Sequence, residues 1–553
     1  MPKLRNKSAI KRTASGFKFS RWHRDKQVSG FKFQVSSVCA YAGIACAALL
    51  PAQRSAAQEV SALNTQPSTL NPRPPNVLYV FPDQFRNSAM GFWRDSLYRD
   101  HVRWQGDPVQ TPRLNAFADE AAVFSQALSN CPVSSAHRGM LLTGLYPNKS
   151  GVSLNCNATR PVSDLRDDLT CLSDVFHQAG YRCAYIGKLH AHFPTKNNPQ
   201  RPGTYVNDDN PCWDAYTPAE RRHGFEYWYS YGTFDEHKNP HYWDTDGNYH
   251  QPREYSPKHE ADKTIEYLQA YTQSGTEAPF FMMVGMNPPH SPYKSLDDCM
   301  EEDYNLYKDM PRDSLLVRKN INPDLRDKEA CAPYYFANVT GVDREFGRIL
   351  DALDALGLAE NTIVVFSSDH GETMCSHVRD PKNTVYTESM NIPFMVRYPA
   401  EVAHSVQDGL LSAIDIMPTV VCMAGLGSML PDSLPGYDWT PQLTAEPSEK
   451  QPAAVLYLQN VDGEKDAEGN VLTYFPRCRG VVTDRYTLSF TINRKYKVVE
   501  TLFFDNWEDP YQMNNLPLSS RPEVVSELLQ ELRRLLQEAD DPWATLDIEQ
   551  MPK

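Results

Sequence analysis

Ser134 stands four residues ahead of an arginine in the run Ser134-Ser135-Ala136-His137-Arg138-Gly139-Met140-Leu141-Leu142-Thr143-Gly144. A serine hydroxyl is a weak nucleophile near neutral pH, so chemistry at Ser134 requires that the side chain be activated or modified. Polar, metal-competent or basic residues recur at four other places, as Asp83-Gln84, as Lys188 with His190, as Pro289-His290 and as Asp369-His370. Each of these follows an apolar run of β type.

The four runs are Asn76–Phe81, Arg182–Ile186, Phe280–Met286 and Thr362–Ser367. They alternate with helix-like segments, a pattern that predicts an α/β fold with a large, mostly parallel sheet flanked by helices on both faces. In open sheets of this kind ligands bind outside the carboxyl ends of the strands. Polar residues commonly follow one strand, but four strands ending this way point to a shared site. The segment Pro112–Phe124 predicts a core-facing helix with Leu114, Phe117, Ala118 and Ala121 on one face, and Phe336–Leu356 predicts another. Between Tyr205 and Tyr249 the chain is dense in Trp, Tyr and His, including Trp213, Trp228, His241 and Trp243. Its Gly, Asn and Asp content predicts loops, either packed on their own aromatics or forming a pocket wall on which a sugar stacks.

Beyond residue 450 short strands at Arg479–Thr483, Tyr486–Thr491 and Leu502–Asp505 precede an amphipathic helix at Pro522–Glu538. The predicted division is therefore a catalytic domain over 76–450 and a small α+β subdomain with an antiparallel sheet over 451–553. At the other end, residues 1–35 are rich in Lys and Arg, and Val38–Leu50 is an apolar run too short to span a bilayer. Small residues Ser55-Ala56-Ala57 follow, so 1–57 reads as a signal peptide with a long basic leader and 58–75 as a linker rich in Pro, Ser, Thr and Asn. The chain is expected to be exported, periplasmic or secreted, to engage the export machinery, and not to span a membrane.

The 553 residues are 41% hydrophobic and 22% charged, the balance of a globular protein. Without residues 1–57, which hold eleven of the 55 Lys and Arg and one of the 69 acids, the formal net charge is −24. Such a chain repels nucleic acid and anionic membranes at long range, so an anionic substrate must be held by a local basic pocket. Ten cysteines lie outside the leader with no C-x-x-C pair, which disfavours a zinc ribbon; in an oxidising compartment some are expected to pair.

Taken in order, these motifs resemble those of the type I sulfatases, the formylglycine-dependent branch of the alkaline-phosphatase-like superfamily. Ser134-x-Ala136-x-Arg138 with Leu141-x-Thr143-Gly144 is similar to the family signature in its serine form; Cys131 is out of register. Further landmarks are Asp83-Gln84, Gly187-Lys188-Leu189-His190, Pro289-His290-Ser291-Pro292 and Ser368-Asp369-His370-Gly371. Lys382 ahead of Tyr386-Thr387-Glu388, and the Asp509-Pro510…Asn515-Leu516 ending, complete the set. The resemblance runs from Asn76 to about Leu516.

The resemblance implies that Ser134 is oxidised to formylglycine by a serine-type maturase. The hydrate would attack sulfur to give a covalent sulfoenzyme, and its second hydroxyl would then expel sulfate. It implies a metal site at Asp83, Gln84, Ser134, Asp369 and His370 for one divalent cation, calcium or magnesium by the hardness of the oxygens, with calcium favoured. Many relatives carry Asp where Gln84 stands, so one ligand here is neutral. Arg138, Lys188 and Lys382 supply positive charge around formylglycine and sulfate, His190 orients the hydroxyl and serves as base, and His290 contacts sulfate or protonates the leaving alcohol. The bland readings are a helix N-cap for Ser134 and turn-forming residues for Asp83 and Asp369. The expected substrate is a sulfate ester, and export with an aromatic insertion favours a sulfated carbohydrate. The alternatives are a phosphoester or phosphonate monoester hydrolase of the same superfamily and a catalytically silent carbohydrate-binding relative.

Overall fold

The strand prediction holds where it matters for the site. In the computed structural model, which describes residues 73–194, 212–214, 216–325, 329–378, 380–445 and 451–548, the four apolar runs are parallel neighbours. The leader at 1–57 and all but the last three residues of the linker at 58–75 lie outside the described residues. Among the described residues no helix is long and apolar enough to cross a membrane.

Among the described residues the large sheet has eleven strands. They are β1 (Asn76–Val80), β2 (Ala122–Leu128), β3 (Arg182–Lys188), β4 (Tyr227–Tyr231), β5 (Tyr242–Asp244), β6 (Tyr249–His250), β7 (Phe280–Gly285), β8 (Thr362–Ser367), β9 (Asn391–Ile392), β10 (Phe394–Arg397) and β11 (Ser405–Ser412). Their order is β11-β2-β10-β8-β1-β7-β3-β4-β5-β6, with β9 paired to β2. The stretch from β8 through β1, β7 and β3 to β4 is parallel throughout, while β10 runs antiparallel to both β8 and β2. Alternation along β1 shows why both faces must be covered. Leu78 and Val80 enter one core with the helices Ser256–Ser274 and Ala332–Ala355, whereas Val77 and Tyr79 enter the other.

Two expectations give way. Helix α1 (Pro112–Ala118) stops earlier than predicted, and Ala122–Phe124 instead opens β2, where the β-branched and aromatic pair Val123-Phe124 is fully buried. The aromatic insertion is only partly loop. Tyr227–Tyr231 extends the parallel sheet and Tyr242–Asp244 pairs back on it, so Trp228, Tyr242 and Trp243 are buried packing residues. Among its described residues, Trp213 and Tyr249 are the exposed large rings.

The C-terminal residues form a separate four-stranded antiparallel sheet, β12 (Ala454–Asp462), β13 (Tyr474–Thr483), β14 (Tyr486–Ile492) and β15 (Val498–Asp505). Helix Pro522–Glu538 covers it through Leu528, Leu532, Leu535 and Leu536, each contributing about 1.5–3 kcal/mol by burial. Among the thiols, Cys131, Cys156, Cys171, Cys183, Cys299, Cys422 and Cys478 form no disulfide in this structure. Burial raises them, Cys131 to about 12, which keeps them protonated and inert.

Candidate active site

Ser134 is the first residue of helix α2 (Ser134–Thr143), all ten of whose residues are buried. The helix is apolar on opposite sides for a reason. Leu141 and Leu142 pack into the core of the large sheet, while Ala136 and Met140 pack against the small one. Val133, in extended conformation, precedes it, and Gly144 ends it in the left-handed region (φ 66°) with its N–H donating to Met140 O at 2.8 Å. Ser134 is not the N-cap, and its hydroxyl makes no capping bond. Its Oγ instead lies 3.0 Å from His370 Nε2, 3.4 Å from Asp83 Oδ1 and 3.4 Å from Lys382 Nζ.

One turn further along, the Arg138 guanidinium is held at three corners. Nη2 donates to Asp83 Oδ2 (3.1 Å), Nε to Asp369 Oδ2 (3.2 Å) and Nη1 to the Lys188 carbonyl (2.7 Å). That last bond needs room where β3 meets β7. Gly187 and Gly285 face each other in register there, and a Cβ on Gly285 would lie 2.6 Å from Lys188 O. Lys188 Nζ completes the bracket at 2.8 Å from Asp83 Oδ2 and donates to Asn287 Oδ1 at 2.9 Å. Burial alone would raise the Asp83 carboxyl, but Lys188, His290, Arg138 and Lys382 hold it well below the carboxylate range.

Asp83, Asp369 and His370 are fully buried, and their ligating atoms lie within 4.8 Å of one another. His370 Nδ1 donates to Gly371 O at 2.9 Å, so Nε2 presents its lone pair 3.6 Å from an oxygen of each carboxylate. Burial lowers this imidazole to about 3, which keeps it neutral. Two carboxylates and a neutral imidazole converging lone pairs on one point fit a divalent cation. Gln84 adjoins them in the left-handed region (φ 61°), with its N–H donating to Asp369 Oδ1 at 3.0 Å. Its side-chain amide nitrogen, however, donates to Glu372, which also accepts from Tyr293 OH at 2.9 Å.

Lys382 Nζ lies 3.0 Å from His290 Nε2. His290 Nδ1 donates to Ser291 O at 2.7 Å and has the half-exposed Asp235 carboxylate 3.3 Å away. Burial lowers the Lys382 ammonium, and Asp83 opposes that shift. Ser134, Asp83, Arg138, Lys188, His290, Asp369, His370 and Lys382 thus form one connected set. His190 stands beside it, also in the left-handed region (φ 46°), with Nε2 donating to Cys156 O at 3.1 Å. Its Nδ1 is buried without a hydrogen-bond partner among the described residues, and its ring lies 6.3 Å from that of Trp213.

His137 and His377 are engaged elsewhere, with Ser129 Oγ and with Asn320 and Tyr386 respectively. Asn287, Asp235, Glu372 and Tyr293 were not singled out in the sequence. Asn287 directly precedes Pro288-Pro289-His290 and Glu372 follows His370-Gly371, so both lay within reach of the motifs. The other cluster of possible metal ligands among the described residues, Cys171, Asp174 and His223, lies at a helix terminus, where Asp174 Oδ2 accepts from the Cys171 N–H at 2.8 Å.

The buried His137 carries a pH prediction. Burial and then Arg138 lower it to about 3, so the folded chain holds it neutral while the unfolded chain takes up a proton near pH 6.5. Its contribution is present above pH 6.5 and is lost as pH falls toward 3. The thermal midpoint is expected to fall between pH 7 and pH 5 in scanning calorimetry, and to fall less in His137→Gln.

Comparison with known proteins adds a lineage to this geometry. Residues 75–426 match the sulfatase family, and residues 377–539 match the family described as N-sulphoglucosamine sulphohydrolase, C-terminal. The chain is 59% identical over 475 residues to an endo-4-O-sulfatase of Bacteroides thetaiotaomicron, covering 85% of this chain and 93% of the relative. It is 32% identical over 496 residues to an ulvan-active sulfatase of Formosa agariphila, covering 86% and 84%. A solved structure of a B. thetaiotaomicron protein, from work on the metabolism of multiple glycosaminoglycans, superposes with a TM-score of 0.84 at 57% identity, covering 87% of this chain and all of that one.

Proposed function

This chain belongs to the sulfatase family and hydrolyses sulfate esters, and from that premise we propose that it removes 4-O-sulfate within sulfated glycan chains of glycosaminoglycan type, with Ser134 as the precursor of its nucleophile. The observation that carries this reading is the surround of Ser134 Oγ, with Asp83, His370 and Lys382 all within 3.4 Å. The substrate class is supported by the 59% identity to an endo-4-O-sulfatase, and Trp213, beside His190, offers an aromatic face for a sugar ring.

Oxidised to formylglycine, Ser134 supplies a carbonyl whose hydrate has one hydroxyl for sulfuryl transfer and a second for release. Asp83, Asp369 and His370, with Gln84 alongside, would hold a divalent cation, which would supply Lewis acidity and screen the ester's charge; the oxygen-rich set favours calcium. The rest falls to the chain. Arg138 fixes both carboxylates in place, so that no reorganisation is needed as charge develops. Lys382 directs an ammonium at Ser134 Oγ and binds the sulfate oxygens, while Lys188 keeps Asp83 ionised. His290, oriented by Ser291 O and the Asp235 carboxylate at Nδ1, would act as general acid in its doubly protonated form, giving the Nε2 proton to the leaving alcohol and returning to the neutral ring that donates from Nδ1. His190, neutral through burial and with Nδ1 unengaged, accepts a proton when sulfate leaves.

Maturation by a serine-type maturase and export of the chain belong to this proposal. Two-metal phosphatase chemistry is disfavoured because the second ligand cluster among the described residues is the Cys171–Asp174 helix terminus. The test is sulfate release from defined oligosaccharides carrying sulfate at single positions, alongside a phosphate and a phosphonate monoester. Faster turnover of internal 4-O-sulfate is expected. Faster turnover of the phosphorus esters would overturn the reading.

A further inference from the structure

A cleft of about 540 Å³ opens beside the candidate site, between the C-terminal sheet on one side and, on the other, Val133 and the segments around Ser153–Arg160 and Asp380–Asn383. Val133 and Lys382 are part of its lining, and Lys382 Nζ is 3.4 Å from Ser134 Oγ, so the cleft adjoins the site through that side chain. Its lining also includes Arg160, Arg477 and Arg494. These sit on a chain whose formal net charge is −14 even with its basic leader. The acids lining the cleft are Asp380 and Asp462, and Asp462 is already engaged by Arg160 Nε at 2.9 Å and Lys465 Nζ at 3.0 Å.

The three arginines are not equivalent. Arg160 is fixed, with its guanidinium bound to Asp462 and lying 5.8 Å over the exposed Trp213 ring. Arg494 is exposed on the loop after β14, anchored through Nη2 to the Asp462 carbonyl at 2.7 Å, which neutralises no charge. Arg477, exposed on β13, has no ion-pair partner among the described residues. An acidic protein that repels polyanions at long range has here gathered uncompensated cations in a cleft beside its site.

We propose that this cleft is a subsite for a second acidic group of the same glycan chain, with Arg477 and Arg494 as the cations that recognise it. The inference rests on the sulfated-glycan reading above. The group is a carboxylate or a second sulfate ester, both of which suit the guanidinium fork. The subsite acts on binding of the chain and leaves bond cleavage to the residues around Ser134. It would select polyanionic chains over small sulfate esters.

The test compares kcat/KM for a 4-O-sulfated, uronate-containing tetrasaccharide with that for a small aryl sulfate, in wild type, Arg477→Gln, Arg494→Gln and the double variant. We expect the ratio of the two to fall about tenfold for each single change, chiefly through KM, as for loss of one charge-assisted contact. Arg477→Lys should recover part of the loss, and raising salt from roughly 0.05 to 0.5 M should shrink the difference, as the shorter Debye length requires. A carboxyl-reduced tetrasaccharide separates the sources. If the arginine effect vanishes on it the carboxylate is the ligand, and if the effect persists on a disulfated analogue the second sulfate is. An unchanged ratio in the double variant, with a wild-type melting temperature, overturns the subsite alone. Failure of wild type to release sulfate from the oligosaccharide overturns the glycan reading on which it rests.

Discussion

Ser134→Ala is expected to abolish sulfate release, by on the order of 10⁴-fold or more, with the fold intact. The side chain is 1% exposed and lies on the first turn of a helix buried along its whole length, so alanine fits the space. Because Ser134 caps nothing, the helix loses no terminal hydrogen bond, and thermal stability should change little. The loss would therefore fall on turnover, measured as inorganic sulfate from the 4-O-sulfated oligosaccharide. A variant retaining a tenth of wild-type activity would remove Ser134 from the chemistry.

Asp83→Asn should cost activity on the order of 10³-fold and stability as well. Asp83 Oδ2 receives Lys188 at 2.8 Å and Arg138 at 3.1 Å, and all three side chains are about 1% exposed or less. Neutralising the acid leaves two buried cations short of a partner, a change that costs about 3–5 kcal/mol where a buried pair is broken. The variant should also lose the rise in melting temperature that added calcium is expected to give wild type, because one of the two buried carboxylates of the cation site is gone. Denaturant unfolding with and without calcium separates the two effects. If calcium still stabilised the Asp83→Asn variant as strongly as wild type, the ion would have to bind elsewhere.

The convergence of Asp83, Lys188, His290, Asp369 and His370 was legible in the sequence because they end or follow strands whose apolar runs are strong. Thr362–Ser367 is observed with the predicted bounds, and the other three runs differ by a residue or two at their ends. Periodicity failed where strands are short or follow helices closely. At α1, a helical stripe from Leu114 to Ala121 hid the start of β2, and β12 was not foreseen because it is paired by tertiary contacts with β13. Asn287, Asp235, Glu372 and Tyr293 were hidden for another reason. Each acts by holding a motif residue, and such contacts depend on the folded approach of distant segments, as when Tyr293 meets Glu372. The aromatic insertion misled through composition, since its Gly and Asn mark the turns between strands whose Trp and Tyr are packed inside.

Ser134 is expected not to stay serine in the working enzyme. The most direct test is peptide mass spectrometry of the segment containing residues 134–138, from chain co-expressed with a serine-type maturase and from chain made without it. The expected result is loss of two hydrogens at Ser134 in the first preparation, in proportion to its sulfatase activity, with unmodified serine and negligible activity in the second. Full sulfate-ester turnover by chain whose Ser134 is wholly unmodified would contradict it.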